Sequence, residues 1–213
     1  MRLRKVKNAY ERLSANERYF ISDALKMKGK WLSAFANQHP IHIEIGCGKG
    51  QFIFELAKRN PNINYIAIEK YDSVLLRASE KLEGQDLANL KLVLLDAERI
   101  SDYFAEQEIE RIYLNFSDPW PKNSHAKRRL TAEGFLRQYR QILKDGGEIH
   151  QKTDNRGLFE FSLESFNQNH WFLQHISLNL HEDIEKYPDN ITTEFEDKWS
   201  KLGPIYRLEA VKK

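Results

Sequence analysis

The sequence predicts an α/β fold built around a doubly wound, mostly parallel β-sheet with helices on both of its faces. From residue 41 onward, short apolar runs rich in β-branched and aromatic residues alternate with amphipathic helical stretches, the pattern of successive βαβ units. A glycine-rich turn follows the first of these runs, as it does where parallel sheets bind ligands. Two strand-like runs near the end of the chain predict an antiparallel addition at the sheet edge.

Hydrophobic periodicity sets the elements in chain order. Upstream of the sheet, Glu17 to Ala36 is predicted to be a helix, or two helices broken near Gly29. Strands are predicted at Ile41–Ile45, Tyr65–Ile68, Leu90–Leu95, Arg111–Phe116 and Glu148–Lys152, and as a C-terminal pair at Trp171–Leu180 and Ile205–Val211. Helices are predicted at Gln51–Lys58, Ser73–Leu82, Glu133–Leu143 and Arg156–Asn167, with an acidic, partly helical segment at His181–Leu202.

The composition predicts a single globular domain spanning residues 1–213. The chain is 41% hydrophobic and 30% charged, and it contains no apolar run of transmembrane length. Cys47 is the single cysteine and the seven histidines are scattered, so no internal disulfide is possible and no metal-ligand spacing is present. We therefore expect a cytoplasmic protein without a metal ion. The choice between a monomer and a homodimer stays open.

Basic residues are concentrated in two segments, although the net charge is only +2. Lysine and arginine far outnumber acids in residues 1–30, which include a basic N-terminal arm of about residues 1–16 with Arg2, Arg4, Lys5 and Lys7. They do so again in residues 122–140. A single charged run is usually a solvated face, but two such clusters favour a polyanionic partner.

The turn after the first strand is a candidate cofactor site. Glycines at Gly46, Gly48 and Gly50 permit a tight turn and let backbone amides approach a ligand closely. The next strand ends at Glu69, where a carboxylate could accept both hydroxyls of a ribose. The G-x-G-x-G spacing differs from the dinucleotide G-x-G-x-x-G pattern. The turn and the acid together indicate a cofactor of the adenosine type.

Acids end each of the first three strands, at Glu44, Glu69 and Asp96. Asp96 could accept from the exocyclic amine of an adenine. Carboxylates on this edge would repel a pyrophosphate, so they suit a cofactor that carries positive charge and lacks phosphates. S-adenosylmethionine, a sulfonium with an amino-acid tail, meets that requirement.

The segment Asn115-Phe-Ser-Asp-Pro-Trp-Pro-Lys follows the fourth strand. Its two prolines flank Trp120, and neither a strand nor a helix continues easily through them. Asp118 is therefore held on a stiff aromatic loop at the carboxyl end of a strand, just before the cations Lys127, Arg128 and Arg129. An acid, an indole and a cation cluster indicate a site that handles a nucleic-acid base, with Trp120 shaping its pocket.

Over nearly its full length the chain resembles the bacterial tRNA (guanine-N7-)-methyltransferases of the class I methyltransferase superfamily. The glycine motif is shared across that superfamily, whereas Asp-Pro-Trp-Pro followed by His-x-Lys-Arg-Arg is highly specific. The matching stretches are Ile43-Glu-Ile-Gly-Cys-Gly-Lys-Gly, Asn115-Phe-Ser-Asp-Pro-Trp-Pro-Lys, His125-Ala-Lys-Arg-Arg-Leu, Lys152-Thr-Asp-Asn-Arg and Thr193-Glu-Phe-Glu.

The resemblance implies a Rossmann-like, seven-stranded sheet and transfer of a methyl group from S-adenosylmethionine to N7 of a guanosine in the tRNA variable loop, at position 46, with S-adenosylhomocysteine as the second product. With the glycine turn, it implies a cofactor site of Glu44, Gly46, Gly48, Gly50, Glu69, Asp96, Ala97 and Asp118. The substrate would be faced by Lys122, Asp154, Thr193, Glu194, Phe195 and Glu196. RNA would be contacted by Ser124, His125, Ala126, Lys127, Arg128 and Arg129.

The chemistry at N7 makes Asp118 the candidate catalytic residue. N7 of guanine already carries an in-plane lone pair, so attack on a sulfonium methyl requires no deprotonation. The methylated base becomes a cation. Alignment of the reacting atoms and negative charge near the purine would therefore help most, and Asp118 could supply both.

Simpler explanations stay open for several of these residues. Asp154 could be the N-cap of the helix that follows it, and Thr193 with Glu196 could form a capping box. His125 could be a solvated loop residue. At the level of function, the alternatives are a nicotinamide-dependent oxidoreductase and an RNA-binding protein whose methyltransferase pocket is inactive.

Overall fold

A computed structural model describes residues 5–213 as one eight-stranded sheet with helices on both faces. Arg2 and Arg4 of the basic N-terminal arm lie outside the described residues. The strands are β1 (Phe20–Ile21), β2 (Ile41–Ile45), β3 (Asn64–Glu69), β4 (Leu90–Leu94), β5 (Ile109–Asn115), β6 (Leu143–Thr153), β7 (Phe172–Ser177) and β8 (Tyr206–Val211). The α-helices are α1 (Ala9–Ser14), α2 (Gln51–Arg59), α3 (Asp72–Glu80), α4 (Glu133–Ile142), α5 (Arg156–Gln168) and α6 (Glu194–Trp199).

The strand order is β1-β4-β3-β2-β5-β6-β8-β7. Neighbouring strands from β1 to β6 pair in parallel, whereas β8 is antiparallel to both β6 and β7. The predicted mostly parallel sheet and its antiparallel C-terminal addition are thus confirmed. The eighth strand is the two-residue β1, which pairs with β4 at the sheet edge and which sequence periodicity did not predict.

Apolar side chains leave the sheet on both faces, which is why helices cover both. In β3, Ile66 and Ile68 join the cluster formed with α4 and α5, while Tyr65 and Ala67 join the cluster formed with α1, α2 and α3. Alternate strand residues point to opposite faces, so one strand serves both layers. Within residues 5–213, no helix combines the length and apolar character needed to cross a membrane.

The predicted helix at Glu17–Ala36 is wrong. The segment instead contains β1 and two short 3₁₀ helices, Ala24–Met27 and Trp31–Ala34. Tertiary contacts determine its path, because the backbone amide of the fully buried Trp31 donates to the Glu108 carboxylate at 3.1 Å. Local periodicity carries no information about that distant partner.

Helix α1 joins part of the basic N-terminal segment to the domain. The Arg12 guanidinium pairs with Glu80 on α3 at 2.7 Å, and the Val6 amide donates to the Ser73 hydroxyl at 2.9 Å. Lys5 is fully exposed in the same segment. The N-terminal segment therefore contributes contacts with α3 as well as exposed cations.

The sheet positions a crevice at its carboxyl edge. Chain order runs one way from β2 through β3 to β4, and the opposite way from β2 through β5 to β6. At such a reversal the loops that leave two neighbouring strands diverge to opposite faces and open a space between them. The turn after β2 and the loop after β5 border that space.

Candidate active site

A cleft of about 820 Å³ lies at the carboxyl ends of β2, β3, β4 and β5. It brings together residues that are far apart in the chain and that the sequence predicted for two different tasks. From the predicted cofactor set its lining includes Gly46, Glu69, Asp96, Ala97 and Asp118. From the aromatic loop and the basic segment it includes Trp120, Lys127 and Arg128.

The glycines of the turn have two different reasons to be glycine. Gly46 has φ +79°, and a Cβ atom built on it would meet no heavy atom within 4 Å. Its backbone conformation requires glycine, and the space beside it is open to a ligand. Gly50, at φ +83°, faces the ring of Phe54, so a Cβ there would collide with that ring. Gly50 therefore serves packing at the start of α2.

Glu44 presents an unsatisfied buried acceptor. The residue is 2% exposed, and its Oε1 accepts a hydrogen bond from the Asn115 amide at 2.9 Å. Its Oε2 has no hydrogen-bond partner among the described residues. Burial raises the pKa of Glu44 to about 7, against the opposing effects of Asn115 and Lys152. A buried oxygen without a donor is costly, so the site suits a ligand that brings an N–H, above all a cationic one.

Glu69 joins the end of β3 to the glycine turn. Its carboxylate accepts from the amides of Lys70 at 2.8 Å, Tyr71 at 3.1 Å and Gly48 at 3.2 Å. Burial raises the pKa of Glu69, and these three amides partly offset the effect. The carboxylate is therefore held rigidly at the cleft wall.

Asp96 and Ala97 form the part of the wall that follows β4. The Asp96 carboxylate accepts from the Glu98 amide at 3.0 Å and so begins a 3₁₀ helix. Asp96 is exposed, whereas Ala97 is buried. Both residues line the cleft, so the cap leaves Asp96 accessible to a ligand.

The loop that carries Asp118 is conformationally strained. Phe116 has φ +50° and Trp120 has φ +42°, left-handed values that are uncommon for residues other than glycine. Such conformations persist only where the surrounding structure holds them in place. Asp118 lies between them, exposed on the cleft wall beyond the end of β5.

The basic segment after this loop forms a 3₁₀ helix at Asn123–Arg128. Lys127 and Arg128 are exposed and line the cleft. The Arg128 guanidinium lies 5.0 Å from the centre of the Trp120 ring, and the His125 ring meets the same indole edge-on at 5.6 Å. Trp120 is thus the point where the loop and the basic segment meet. Of the remaining predicted RNA contacts, Ser124 is exposed and Ala126 is half-buried.

Arg129 has a different environment from its two basic neighbours. It is only 8% exposed. Its Nε donates to the Pro119 carbonyl and its Nη2 to the Trp120 carbonyl, each at 3.0 Å. The guanidinium also lies 4.4 Å from the Phe161 ring. The structure therefore places Arg129 inside the protein, behind the loop.

The predicted capping box at Thr193 and Glu196 is half present. Thr193 is the N-cap of α6, and its hydroxyl accepts from the Glu196 amide at 3.0 Å. The Glu196 carboxylate does not complete the box. It is fully buried, pairs with Lys152 at 2.5 Å and accepts from Asn190 at 3.1 Å. His181 lies 3.1 Å from the other side of the carboxylate.

Helix α6 connects the two halves of the site. The Glu194 carboxylate pairs with Lys49 in the glycine turn at 2.9 Å and also with Lys81. The Phe195 ring lies 4.8 Å from the ring of Phe116, which lines the cleft. One short helix therefore contacts both the turn after β2 and the loop after β5.

Lys122 and Asp154 are exposed and lie outside the lining of the cleft. The alternative that Asp154 caps α5 is wrong, because the N-cap is its neighbour Asn155, whose side chain accepts from the Leu158 amide at 2.8 Å. The capping role is thus accounted for without Asp154.

Sequence reasoning missed three features of the site. Asn115 is the partner of Glu44, and its signal was an amide at the end of an otherwise apolar strand. The buried pairing of Lys152 with Glu196 had no local signal, because the two residues are separated by 44 positions. Phe135 of α4 also lines the cleft, and nothing in its helix distinguishes it from a core residue.

One group of potential metal ligands is present within residues 5–213. Glu148, His150 and Glu209 place ligand atoms within 4.8 Å of one another, on β6 and β8. The guanidinium of Arg111 pairs with Glu148 at 2.7 Å and that of Arg207 pairs with Glu209. These cations already balance the carboxylates, and none of the three potential ligands lines the cleft.

Sequence comparison relates the chain to methyltransferases. A family model described as "Putative methyltransferase" matches residues 38–208. The chain is 51% identical over 212 residues to a tRNA (guanine-N(7)-)-methyltransferase of Exiguobacterium sp., covering 99% of this chain and 98% of that protein. It is 52% identical to the protein of the same name from Streptococcus gordonii, covering 99% of each.

Solved structures share the fold at low sequence identity. The 16S rRNA methyltransferase KamB superimposes with a TM-score of 0.64 at 13% identity, over 87% of this chain and 93% of that one. A Haemonchus contortus phosphoethanolamine N-methyltransferase in complex with S-adenosyl-L-methionine gives a TM-score of 0.53 at 12% identity, over 85% of this chain and 51% of that one. At these identities the likeness concerns the fold alone.

Proposed function

We propose, from the premise that the chain belongs to the tRNA (guanine-N(7)-)-methyltransferase family, that it transfers a methyl group from S-adenosylmethionine to N7 of guanosine 46 in tRNA, forming 7-methylguanosine. The observation that carries the proposal is a single cleft in which strand-end acids stand opposite exposed cations and an indole. The acids suit a cationic cofactor, and the cations with the indole suit an RNA base and its phosphates.

The cofactor would be held along the edge formed by β2, β3 and β4. Glu44 offers its unpaired Oε2 to the amino-acid end, Glu69 its fixed carboxylate to the ribose, and Asp96 its exposed carboxylate to the adenine. Open space beside Gly46 supports close approach of the ligand to the turn. When bound, S-adenosylmethionine supplies an electrophilic methyl group on a positively charged sulfur.

Asp118 would act on the guanine. Because N7 needs no deprotonation, the residue serves as an aligner and an electrostatic partner, and no general base is required. The strained loop presents its carboxylate to the same cleft as the cofactor acids. Methylation turns the purine into a cation, so a carboxylate beside it is more strongly attracted to the product-like transition state than to neutral guanine.

The exposed cations would bind the tRNA backbone. Lys127 and Arg128 line the cleft, with Lys122, Ser124 and His125 next to them in the chain. Asp154, Glu194 and Phe195 would contact the substrate from the neighbouring loops. The proposed reaction requires no metal ion, and the single cysteine supports a reducing cytoplasmic location.

The test is nucleoside mass spectrometry of unmodified tRNA incubated with the protein and S-adenosylmethionine. The proposal predicts 7-methylguanosine in wild-type tRNA and none in a matched tRNA with adenosine at position 46. Methylation of a different atom would contradict the assigned substrate. Binding of tRNA and cofactor without any product would favour the alternative of an RNA-binding protein with an inactive pocket.

A further inference from the structure

We infer that Arg129 is a positioning residue that holds the Asp118 loop in its reactive conformation, whereas its neighbours Lys127 and Arg128 face the tRNA. The inference rests on the proposed function, because Asp118 is the group through which Arg129 would act. It separates one residue from a basic triplet that looks uniform in the sequence.

The contacts of Arg129 are directed at the loop. Its Nε and Nη2 form one edge of the guanidinium, and this edge donates to the consecutive carbonyls of Pro119 and Trp120, both at 3.0 Å. These carbonyls directly follow Asp118 in the chain. A planar fork of this kind fixes orientation as well as distance, so it constrains the backbone that determines where the Asp118 side chain lies.

The rest of the residue is anchored on both sides. The guanidinium lies 4.4 Å from the ring of Phe161 on α5. The Arg129 amide donates to the Ala126 carbonyl at 3.0 Å, and its own carbonyl accepts from the Ala132 amide at 2.9 Å. Arg129 thereby ties the loop to α5 and to the start of α4, two elements of the sheet scaffold.

The loop needs such a restraint. Phe116 and Trp120 both have left-handed backbone conformations, which cost free energy in residues with side chains and persist only under external restraint. Arg129 binds the carbonyl of Trp120 itself. Because only 8% of Arg129 is exposed, a phosphate could reach its guanidinium only by displacing contacts within the protein.

Lysine and glutamine substitutions separate positioning from RNA binding. Arg129→Lys keeps the positive charge but loses the fork, so we expect the single-turnover methylation rate at saturating tRNA and cofactor to fall roughly 10–100-fold, the scale of a small misplacement of a reacting group. Arg129→Gln should fall similarly. In both, the slope of log affinity for tRNA against log salt should equal that of wild type. Arg128→Gln, the matched neighbour, should lower that slope by about 0.7–0.9.

A second background tests the route through Asp118. In Asp118→Asn, adding Arg129→Lys should cause little further loss of rate, because both changes disable one unit. Phe161→Leu, which removes the platform and no charge, should lower the rate in the same direction. Calorimetric binding of S-adenosylmethionine to each variant establishes that the cofactor site is intact.

Three results would overturn the inference: a salt slope for Arg129→Gln reduced as in Arg128→Gln, a wild-type rate in Arg129→Lys, or a full additional loss in the Asp118→Asn background. Failure of the proposed function is read separately. Wild-type protein would then form no 7-methylguanosine, or Asp118→Asn alone would methylate as fast as wild type.

Discussion

At the scale of single residues, Glu44 shows how burial changes the chemistry of a carboxylate. Sequence patterning predicts an acid at the end of the first strand, because strand ends and their charges are local features. It does not predict that one oxygen binds Asn115 from another strand while the other lacks a partner. That difference makes Glu44 a candidate ligand-binding group with a pKa near neutrality.

Glu44→Gln should make the cofactor-free protein more stable at alkaline pH. The folded-state pKa of about 7 lies above the ordinary value of 4.5, so the folded protein retains a proton that the unfolded chain releases. The free energy of unfolding should therefore fall as pH rises between those values and stay low above pH 7. A shift of about 2.5 units (7 minus 4.5) corresponds to an upper limit of about 3 kcal/mol.

Urea unfolding of wild type and Glu44→Gln at pH 5 and pH 8 measures this effect. The stability advantage of the variant should be larger at pH 8, and its calorimetric affinity for S-adenosylmethionine should be weaker. An advantage that is the same at both pH values would contradict the assigned burial of the ionised group.

At the scale of elements, α6 illustrates where local sequence rules stop. The Thr193-x-x-Glu196 spacing predicts a capping box, and the Thr193 half forms. The Glu196 side chain turns inward to Lys152, because a buried ammonium on β6 needs a carboxylate more than an N-cap does. The failure at Glu17–Ala36 has the same origin, since the partner of Trp31 lies at Glu108.

Lys152→Met should strongly destabilise the fold. It leaves the Glu196 carboxylate, which is 0% exposed, without its closest cation, and removing one member of a buried pair typically costs about 3–5 kcal/mol. The matched control is Lys152→Met with Glu196→Leu, which removes both charges and should recover much of the loss. Denaturant unfolding measures both. Equal stability of Lys152→Met and wild type would mean that the pair does not hold α6 against the sheet.

At the scale of the whole molecule, the reversal of strand order between β2 and β5 explains why cofactor acids and RNA-facing cations share one cleft. The alternation of strands and helices predicts this edge, because every parallel strand delivers its following loop there. It does not predict which members of the basic triplet reach the surface. Arg129 turns inward because the carbonyls of a neighbouring loop lie within its reach.

Salt dependence of tRNA binding tests the exposed part of that cluster. Replacing Lys127 and Arg128 together by glutamine should lower the slope of log affinity against log salt by about 1.4–1.8, twice the value for one phosphate contact. Arg137→Gln on α4, whose partner is Glu133, is a control of the same charge type and should lower the slope less. An unchanged slope in the double variant would identify the cluster as a solvated face.

The central claim is that Asp118 stabilises a guanine that becomes cationic without losing a proton. The most direct measurement is single-turnover formation of 7-methylguanosine by wild type and Asp118→Asn across pH, at saturating tRNA and cofactor. We predict a rate roughly 10²–10³ lower in the variant, the scale of losing a preorganised electrostatic partner, with little change in tRNA affinity. The wild-type rate should also be flat from about pH 6 to 9, since no base titrates during the step. A variant as fast as wild type, or a wild-type rate that rises with the ionisation of a single base, would contradict this account.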